Sequence, residues 1–234
     1  ATPETLGEAP EPPRERRFQI DLEQAAVSDL LTLGAVKAGF TLIDSWPTAM
    51  QAGASYPGGL LTLGPDPEKL GALRMTASDF GRLLAAAGAT EGVVGGDFYL
   101  IAFEQPDTGY GLEVHSRNFD FKKSVITELA GESSTKLITL FNGGDAVRFD
   151  RLDMFARYSD GAINIDKSSA DGAALGISAH GKIDRRGRTL DISGAIAPAY
   201  AVSRALGGIP ILGQILTGSK REGLFAANYR ASGS

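Results

Sequence analysis

The fold is decided by the stretch Gly181-Lys-Ile-Asp-Arg-Arg-Gly-Arg-Thr-Leu-Asp-Ile-Ser-Gly-Ala-Ile-Ala-Pro-Ala-Tyr200. Apolar residues such as Leu190 and Ile192 alternate here with polar ones, beside an Arg-Arg-Gly-Arg turn signal at 185–188. A period of two turns one face of a strand toward apolar neighbours and the other toward water. The stretch therefore predicts a two-strand ribbon with a basic tip.

The same alternation recurs along most of the chain. Its apolar members outside the ribbon are Phe18, Ile20, Leu22, Tyr110, Leu112, Val114, Val147, Phe149, Ile163, Ile165, Leu175, Ile177, Phe225 and Tyr229. Short turn signals such as Ser159-Asp-Gly161 separate the runs, and short connections favour hairpins over parallel crossovers. We therefore expect a mainly β chain with short helices (an α+β fold), built on an antiparallel sheet that curls into an open groove or half-barrel.

Helices are expected at three places. Ser78 can cap a helix that runs to Ala87, and residues 124–141 fit one or two helices. Pro198 suits the first position of a further helix, and a short apolar helix follows from Pro210. These apolar helices near the C-terminus are expected to cap the sheet.

Composition limits the possible classes of protein. Residues 1–16 contain four prolines and many charges, typical of a disordered lead or linker, so we expect residues 17–234 to form one domain. The net charge of −5 argues against nucleic acid as a partner. The absence of cysteine excludes disulfides and thiolate metal sites. The longest apolar stretch, 204–220, contains glycines and a proline, so we do not expect it to span a membrane.

No catalytic constellation is visible in the sequence. The two histidines, His115 and His180, lie in alternating strand patterns far apart, with no local cluster of metal ligands. There is no Gly-x-Ser-x-Gly elbow, and the glycine-rich stretches match no phosphate-binding motif. We therefore expect no enzyme activity, no cofactor and no metal. An enzyme with an unrecognised site is a third hypothesis, which loss of activity on replacing His115 or His180 would favour.

Two sets of residues are candidates for contact with lipid. The apolar set is expected to meet acyl chains and consists of Ile209, Ile211, Leu212, Ile215 and Leu216. The alternative is that these residues simply plug one end of the sheet. The basic set is expected to meet anionic headgroups and consists of Lys182, Arg185, Arg186, Arg188, Lys220 and Arg221. Its alternative, for the tip residues, is a solvated turn.

Several segments together resemble the AsmA-like C-terminal region, which is shared by envelope proteins of the AsmA, TamB and YhdP group. The segments are Ala77-Ser-Asp-Phe-Gly-Arg-Leu-Leu-Ala-Ala-Ala-Gly88, Val93-Val-Gly-Gly-Asp-Phe-Tyr-Leu100, Gly172-Ala-Ala-Leu-Gly-Ile177, Gly181-Lys-Ile-Asp184, Leu190-Asp-Ile-Ser-Gly-Ala-Ile-Ala-Pro-Ala-Tyr200, Leu206-Gly-Gly-Ile-Pro-Ile-Leu-Gly-Gln-Ile-Leu-Thr-Gly218 and Glu222-Gly-Leu-Phe-Ala-Ala-Asn-Tyr-Arg230. The resemblance covers the chain from about residue 76 to the end.

The resemblance implies a periplasmic protein of a Gram-negative type of envelope, anchored in the inner membrane in its full-length form. It further implies an apolar β-groove that carries phospholipid toward the outer membrane, with this chain as the terminal module. The expected partners are phospholipid or a membrane surface, and envelope assembly proteins. The alternative is a non-enzymatic scaffold or outer-membrane assembly factor, which would recruit a partner along an edge strand such as 225–231.

Overall fold

A computed structural model describes residues 14–28, 30–43, 46–106, 109–126, 144–198 and 227–233. In these residues the chain forms twelve strands and one helix, in the order β1 Glu15–Ala26, β2 Thr32–Ile43, β3 Trp46–Tyr56, β4 Gly59–Pro65, β5 Leu73–Ala77, α1 Phe80–Ala86, β6 Val93–Gln105, β7 Gly109–Lys122, β8 Ala146–Ser159, β9 Ala162–Asp171, β10 Leu175–Asp184, β11 Thr189–Pro198 and β12 Ala227–Gly233.

The strands form a single sheet in which every strand pairs with its neighbour in sequence. The order runs from β1 to β12 without a crossover, and all the pairings are antiparallel. Such a meander needs only local connections, which agrees with the short turn signals in the sequence. The predicted mainly antiparallel β architecture is confirmed.

The turns show why the sequence folds in this way. Between β8 and β9, Asp160 and Gly161 both have positive φ angles, of 51° and 83°. This is the conformation that a two-residue hairpin requires, and Asp-Gly is among its favoured sequences. At the predicted basic tip, the Asp184 carboxylate accepts a hydrogen bond from the Gly187 N–H at 2.8 Å. The predicted ribbon is therefore present as the β10–β11 hairpin.

Helix α1 packs on the sheet through aromatic side chains. Phe80 stacks on Phe98 of β6 with ring centroids 5.3 Å apart, and meets Phe119 of β7 edge to face at 5.9 Å. Phe119 in turn stacks on Phe149 of β8, and both rings are fully buried. Aromatic pairs of this geometry stabilise a core beyond the area they bury. The part of the buried core on β6 and β7 therefore lies under α1.

Three expectations about local structure need correction. The cap of α1 is Asp79, not Ser78, and the helix ends at Ala86. The Ser78 hydroxyl instead accepts a hydrogen bond from the Leu60 N–H at 2.9 Å. Pro198 does not begin a helix but is the last residue of β11, a strand end where proline is tolerated. Of the helices expected over 124–141, only a helical turn at 123–126 lies within the described residues.

The sheet is open, because β1 and β12 each pair along one edge only. It is also uncurled, so the prediction of a curled groove or half-barrel is wrong for the described strands. Hairpin pairing fixes which strands are neighbours, but curl depends on the twist that accumulates over all of them. The apolar helices expected after Pro198 lie outside the described residues, and the predicted cap is not seen. Within the described part, no helix has the length and apolar character to cross a membrane.

Candidate functional site

One face of the sheet, here called the apolar face, presents apolar side chains across nearly its whole width. Antiparallel partners point to the same face, so the register identifies its members. One row consists of Ile20, Ala38, Ala52, Leu63, Met75, Leu100, Val114 and Met154. A second row consists of Leu61, Ala77, Phe98, Ser116, Leu152, Ala170, Ile177 and Ile196.

The apolar face is covered at one end and open at the other. On β10 and β11 the side chains of Leu175 and Ile196 are fully buried. On β1, by contrast, Phe18, Ile20 and Leu22 keep 39%, 40% and 45% of their surface exposed. Apolar side chains that stay in water forgo the ~1.5–3 kcal/mol that full burial of each would contribute. This exposed apolar row is the candidate interaction surface of the sheet.

The opposite face, here called the polar face, has a continuous row of small or polar side chains. The row runs through every strand and consists of Asp21, Lys37, Gly53, Thr62, Thr76, Tyr99, His115, Asp153, Ser169, Ser178, Ala195 and Asn228. The sheet therefore has two chemically distinct sides. This separation is what the alternation in the sequence predicts.

A hollow of about 1110 Å³ lies over β1–β5, with Lys37, Gln51 and Arg74 among its lining residues. Gly39 and Gly64 also line it, and a Cβ atom on either would meet no atom closer than 3.8 Å. Because these two glycines have no side chains, space is left on the polar face.

A buried ion pair anchors the β4–β5 turn at the edge of this hollow. The Asp66 carboxylate, whose side chain is fully buried, accepts hydrogen bonds from Arg74 Nε at 2.6 Å and from two backbone N–H groups, those of Glu68 and Lys69. Burial by itself raises the pKa of Asp66, but these donors outweigh burial and hold the pKa below its ordinary value. Asp66 is thus a structural anion.

His115 belongs to a second polar cluster on the same face. Its Nδ1 lies 2.7 Å from Asp153 Oδ1, and its ring stacks on Tyr99 with centroids 4.6 Å apart. Arg151 also pairs with Asp153. Ser116 follows His115 in sequence, but successive residues of a strand point to opposite faces. The buried Ser116 hydroxyl therefore cannot act as a nucleophile activated by His115.

The basic tip predicted from the sequence exists and is exposed. Lys182 lies 3.8 Å from the Asp184 carboxylate, while Arg185 and Arg188 form no ion pair within the described residues. The carbon chain of Arg186 lies close over Gly161 of the neighbouring β8–β9 turn. The tip thus presents guanidinium groups to solvent at the end of the sheet opposite Pro198, where β11 ends.

The rest of the predicted site cannot be placed. Ile209, Ile211, Leu212, Ile215, Leu216, Lys220 and Arg221 all lie outside the described residues. Their assignment to acyl chains and headgroups stays a prediction. The structure instead draws attention to the exposed row on β1, which the sequence showed as an alternation without marking it as a site. Its only sequence signal was that three apolar residues alternate in a strand at one end of the meander.

Metal binding has no support among the described residues, where no group of three or more His, Asp or Glu side chains is placed to hold an ion. Comparison of the chain with protein-family models, with curated proteins and with solved structures finds no match in any of the three. The two faces of the sheet are therefore the basis for any functional conclusion.

Proposed function

We propose that this chain binds phospholipid acyl chains on its apolar face and serves as the terminal module of a periplasmic protein of lipid transfer and envelope biogenesis. The observation that carries the proposal is the row of apolar side chains across the sheet, which leaves Phe18, Ile20 and Leu22 exposed at 39–45%. The resemblance to the AsmA-like region supports the same function and the location in the envelope.

The physical basis of lipid binding is transfer of apolar surface out of water. An acyl chain laid on this face would remove both its own methylene groups and the exposed side chains from solvent, at ~0.8 kcal/mol per buried CH₂. The polar face keeps the other side of the sheet wetted. Transfer needs no catalytic group in this mechanism and would be driven by the lipid gradient or by another machine.

The proposal is tested on the chain purified gently from cells. Native mass spectrometry with lipid extraction should find phospholipid at a defined stoichiometry. Met50→Asp places a charge on the apolar face, beside Phe40 in the register, and should lower bound lipid about tenfold or more, because a charge against acyl chains is costly. Gln51→Asp, one residue further on the polar face, is the matched control and should bind as the unmodified chain does.

A lipid-free protein that unfolds cooperatively would overturn the proposal. So would equal lipid content in Met50→Asp and Gln51→Asp, provided that thermal unfolding shows both variants folded. Loss of the fold in Met50→Asp alone would mean that the residue belongs to the core. Phe40→Asp, with Thr41→Asp as its control, repeats the comparison on β2 and keeps the test decisive.

The second candidate function is a scaffold or outer-membrane assembly factor that acts through protein contacts. The observation in its favour is that β12, Ala227–Gly233, lies at the edge of the sheet and pairs with β11 alone among the described strands. An exposed edge can accept a strand from a partner. A stoichiometric protein partner in the absence of lipid would favour this function over the first.

A further inference from the structure

Among the described residues, the first strand of the sheet is a long, exposed edge. β1 has twelve residues, pairs with β2 alone among the described strands, and every residue on it except Ala25 is exposed. Folded proteins shield such edges with short strands, prolines, charged side chains or covering loops, because unpaired backbone groups recruit other strands. β1 carries charged side chains, so a strand that pairs with it must complement their charges. No proline or glycine interrupts β1. The opposite edge, β12, is shorter, at seven residues.

We propose that β1 is the interface of a homodimer in which two copies pair antiparallel, β1 against β1, about a two-fold axis at Ile20. A two-fold axis perpendicular to the sheet puts the same face of both copies on the same side. Residues i and j can then oppose each other only if both point to the same face, so their numbers must sum to an even value. Only a few registers of the β1–β1 pair satisfy this condition.

The side chains of β1 select one register from this series. With Ile20 opposite itself, the other pairs are Phe18 with Leu22, Arg17 with Glu23, Gln19 with Asp21 and Arg16 with Gln24. Apolar side chains thus meet apolar ones, and the ends of the interface carry two opposite-charge pairs. Both kinds of cross-strand pair are stabilising.

The neighbouring registers are disfavoured by like charges. Centring on Phe18 opposes Glu15 to Asp21, and centring on Gln19 opposes Glu15 to Glu23. Centring on Asp21 opposes that carboxylate to itself. Like charges directly opposite each other destabilise a strand pair. The strand is therefore self-complementary in the Ile20 register and in none of the adjacent ones.

The other possible occupants fit less well. Head-to-tail pairing of β1 with β12 of another copy would not close and would build filaments, whereas pairing of β1 with itself closes as a dimer. Residues 1–13 contain four prolines, which lack the N–H that an edge needs. The dimer would extend the apolar face over a sheet of 24 strands, twelve from each copy.

The register is tested by disulfide trapping, for which this chain is well suited because it contains no cysteine. Ile20→Cys places one thiol in each copy directly opposite the other, within the Cα separation that a disulfide spans. Under mild oxidation the full chain should cross-link to a dimer on non-reducing electrophoresis. Leu22→Cys, on the same face of the same strand, should not, since Leu22 faces Phe18 of the second copy.

Charge reversal tests the same register independently of oxidation. Arg17→Glu and Glu23→Arg should each raise the dissociation constant in analytical ultracentrifugation about tenfold, because each creates two like-charged pairs. The double variant should recover the unmodified value. Arg185→Glu changes the net charge as Arg17→Glu does, but far from β1, and should leave dimerisation unchanged.

The proposal is overturned by a monomer at all concentrations, by a ladder of larger oligomers, or by equal cross-linking of the Ile20→Cys and Leu22→Cys variants. The proposal would also be overturned if the double variant Arg17→Glu/Glu23→Arg dimerised as weakly as each single variant. These outcomes are separate from failure of lipid binding, which is read by mass spectrometry on Met50→Asp, a variant outside β1.

Discussion

Asp66 shows how a single side chain secures a connection that the sheet alone would not hold. Its carboxylate binds Arg74 and the N–H groups of Glu68 and Lys69, and so closes the loop between β4 and β5. Replacing this carboxylate with a neutral group would leave the N–H groups that donate to it with a weaker acceptor. Such a change costs more than a surface hydrogen bond contributes.

We predict that Asp66→Asn lowers the free energy of unfolding by ~1–3 kcal/mol. The pKa of Asp66 is held below 3.8 in the fold, so this carboxylate stabilises the fold at pH values above 3.8. That contribution is lost as the pH falls through the lower folded value. Urea unfolding between pH 7 and acid should therefore show a shallower acid dependence in the variant. Asp150→Asn, at an exposed site, should match the unmodified chain, and an identical acid dependence in Asp66→Asn would refute the assignment.

At the scale of the element, one tyrosine links β12 to a strand beyond its direct neighbour. The Tyr229 hydroxyl donates a hydrogen bond to the Ser178 carbonyl of β10 at 2.9 Å and so reaches across the intervening strand β11. Its ring lies over Gly194, where a Cβ atom would come within 2.6 Å of the ring. The absence of a side chain at Gly194 leaves the space that the Tyr229 ring occupies. The edge strand is thereby tied to two strands and not to one.

We predict that Tyr229→Phe destabilises the protein by ~1 kcal/mol, the usual net contribution of such a hydrogen bond. Burial raises the pKa of Tyr229 from 10.0 to about 12. The unfolded chain thus loses this proton first, and stability should fall as the pH rises from 10.0 to about 12. That part of the alkaline loss should be absent in Tyr229→Phe. Tyr110→Phe, at an exposed tyrosine, serves as the control. Equal alkaline curves for Tyr229→Phe and the unmodified chain would contradict the prediction.

The strands could be predicted because the sequence signals that produce them lie close together in the chain. Alternation of apolar and polar residues and a turn such as Asp160-Gly161 lie within a few residues of each other, and a meander needs nothing further. The N-cap of α1 was not predictable in this way, since the Ser78 hydroxyl is occupied by the distant Leu60 N–H. Pro198 satisfies the local rule for a helix start, yet it ends a strand because β11 pairs with β10 up to that residue.

The candidate site was predictable only in its chemistry. The apolar alternation was interpreted as a surface for lipid, which stays a prediction, but the exposure of Phe18 and Ile20 depends on the position of β1 at the edge of the sheet. The contact of His115 with Asp153 joins residues 38 apart and depends on the register of β7 and β8. Register across two long strands is set by the whole hairpin, and no short motif encodes it.

At the scale of the whole molecule, the sheet has an apolar face and, at one of its ends, a basic tip. Arg185 and Arg188 extend from the β10–β11 hairpin and form no ion pair within the described residues. A lipid bound on the apolar face would have its headgroup at an edge of the sheet, and the basic tip provides cationic groups at one such edge. The two features together are the basis for a prediction about binding to an anionic membrane.

We predict that replacing Arg185 and Arg188 together with Gln lowers affinity for phosphatidylglycerol vesicles by about tenfold or more, at ~1 kcal/mol per charge near the surface. Vesicle co-sedimentation measures this affinity, and added salt should reduce the difference because it screens the charges. Replacing Arg117 and Lys167 with Gln removes the same charge from exposed sites of the sheet and should have a smaller effect. Equal losses in the two pairs would mean that overall charge, and not the tip, directs the protein to the membrane. No loss in either pair would mean that the tip is a solvated turn.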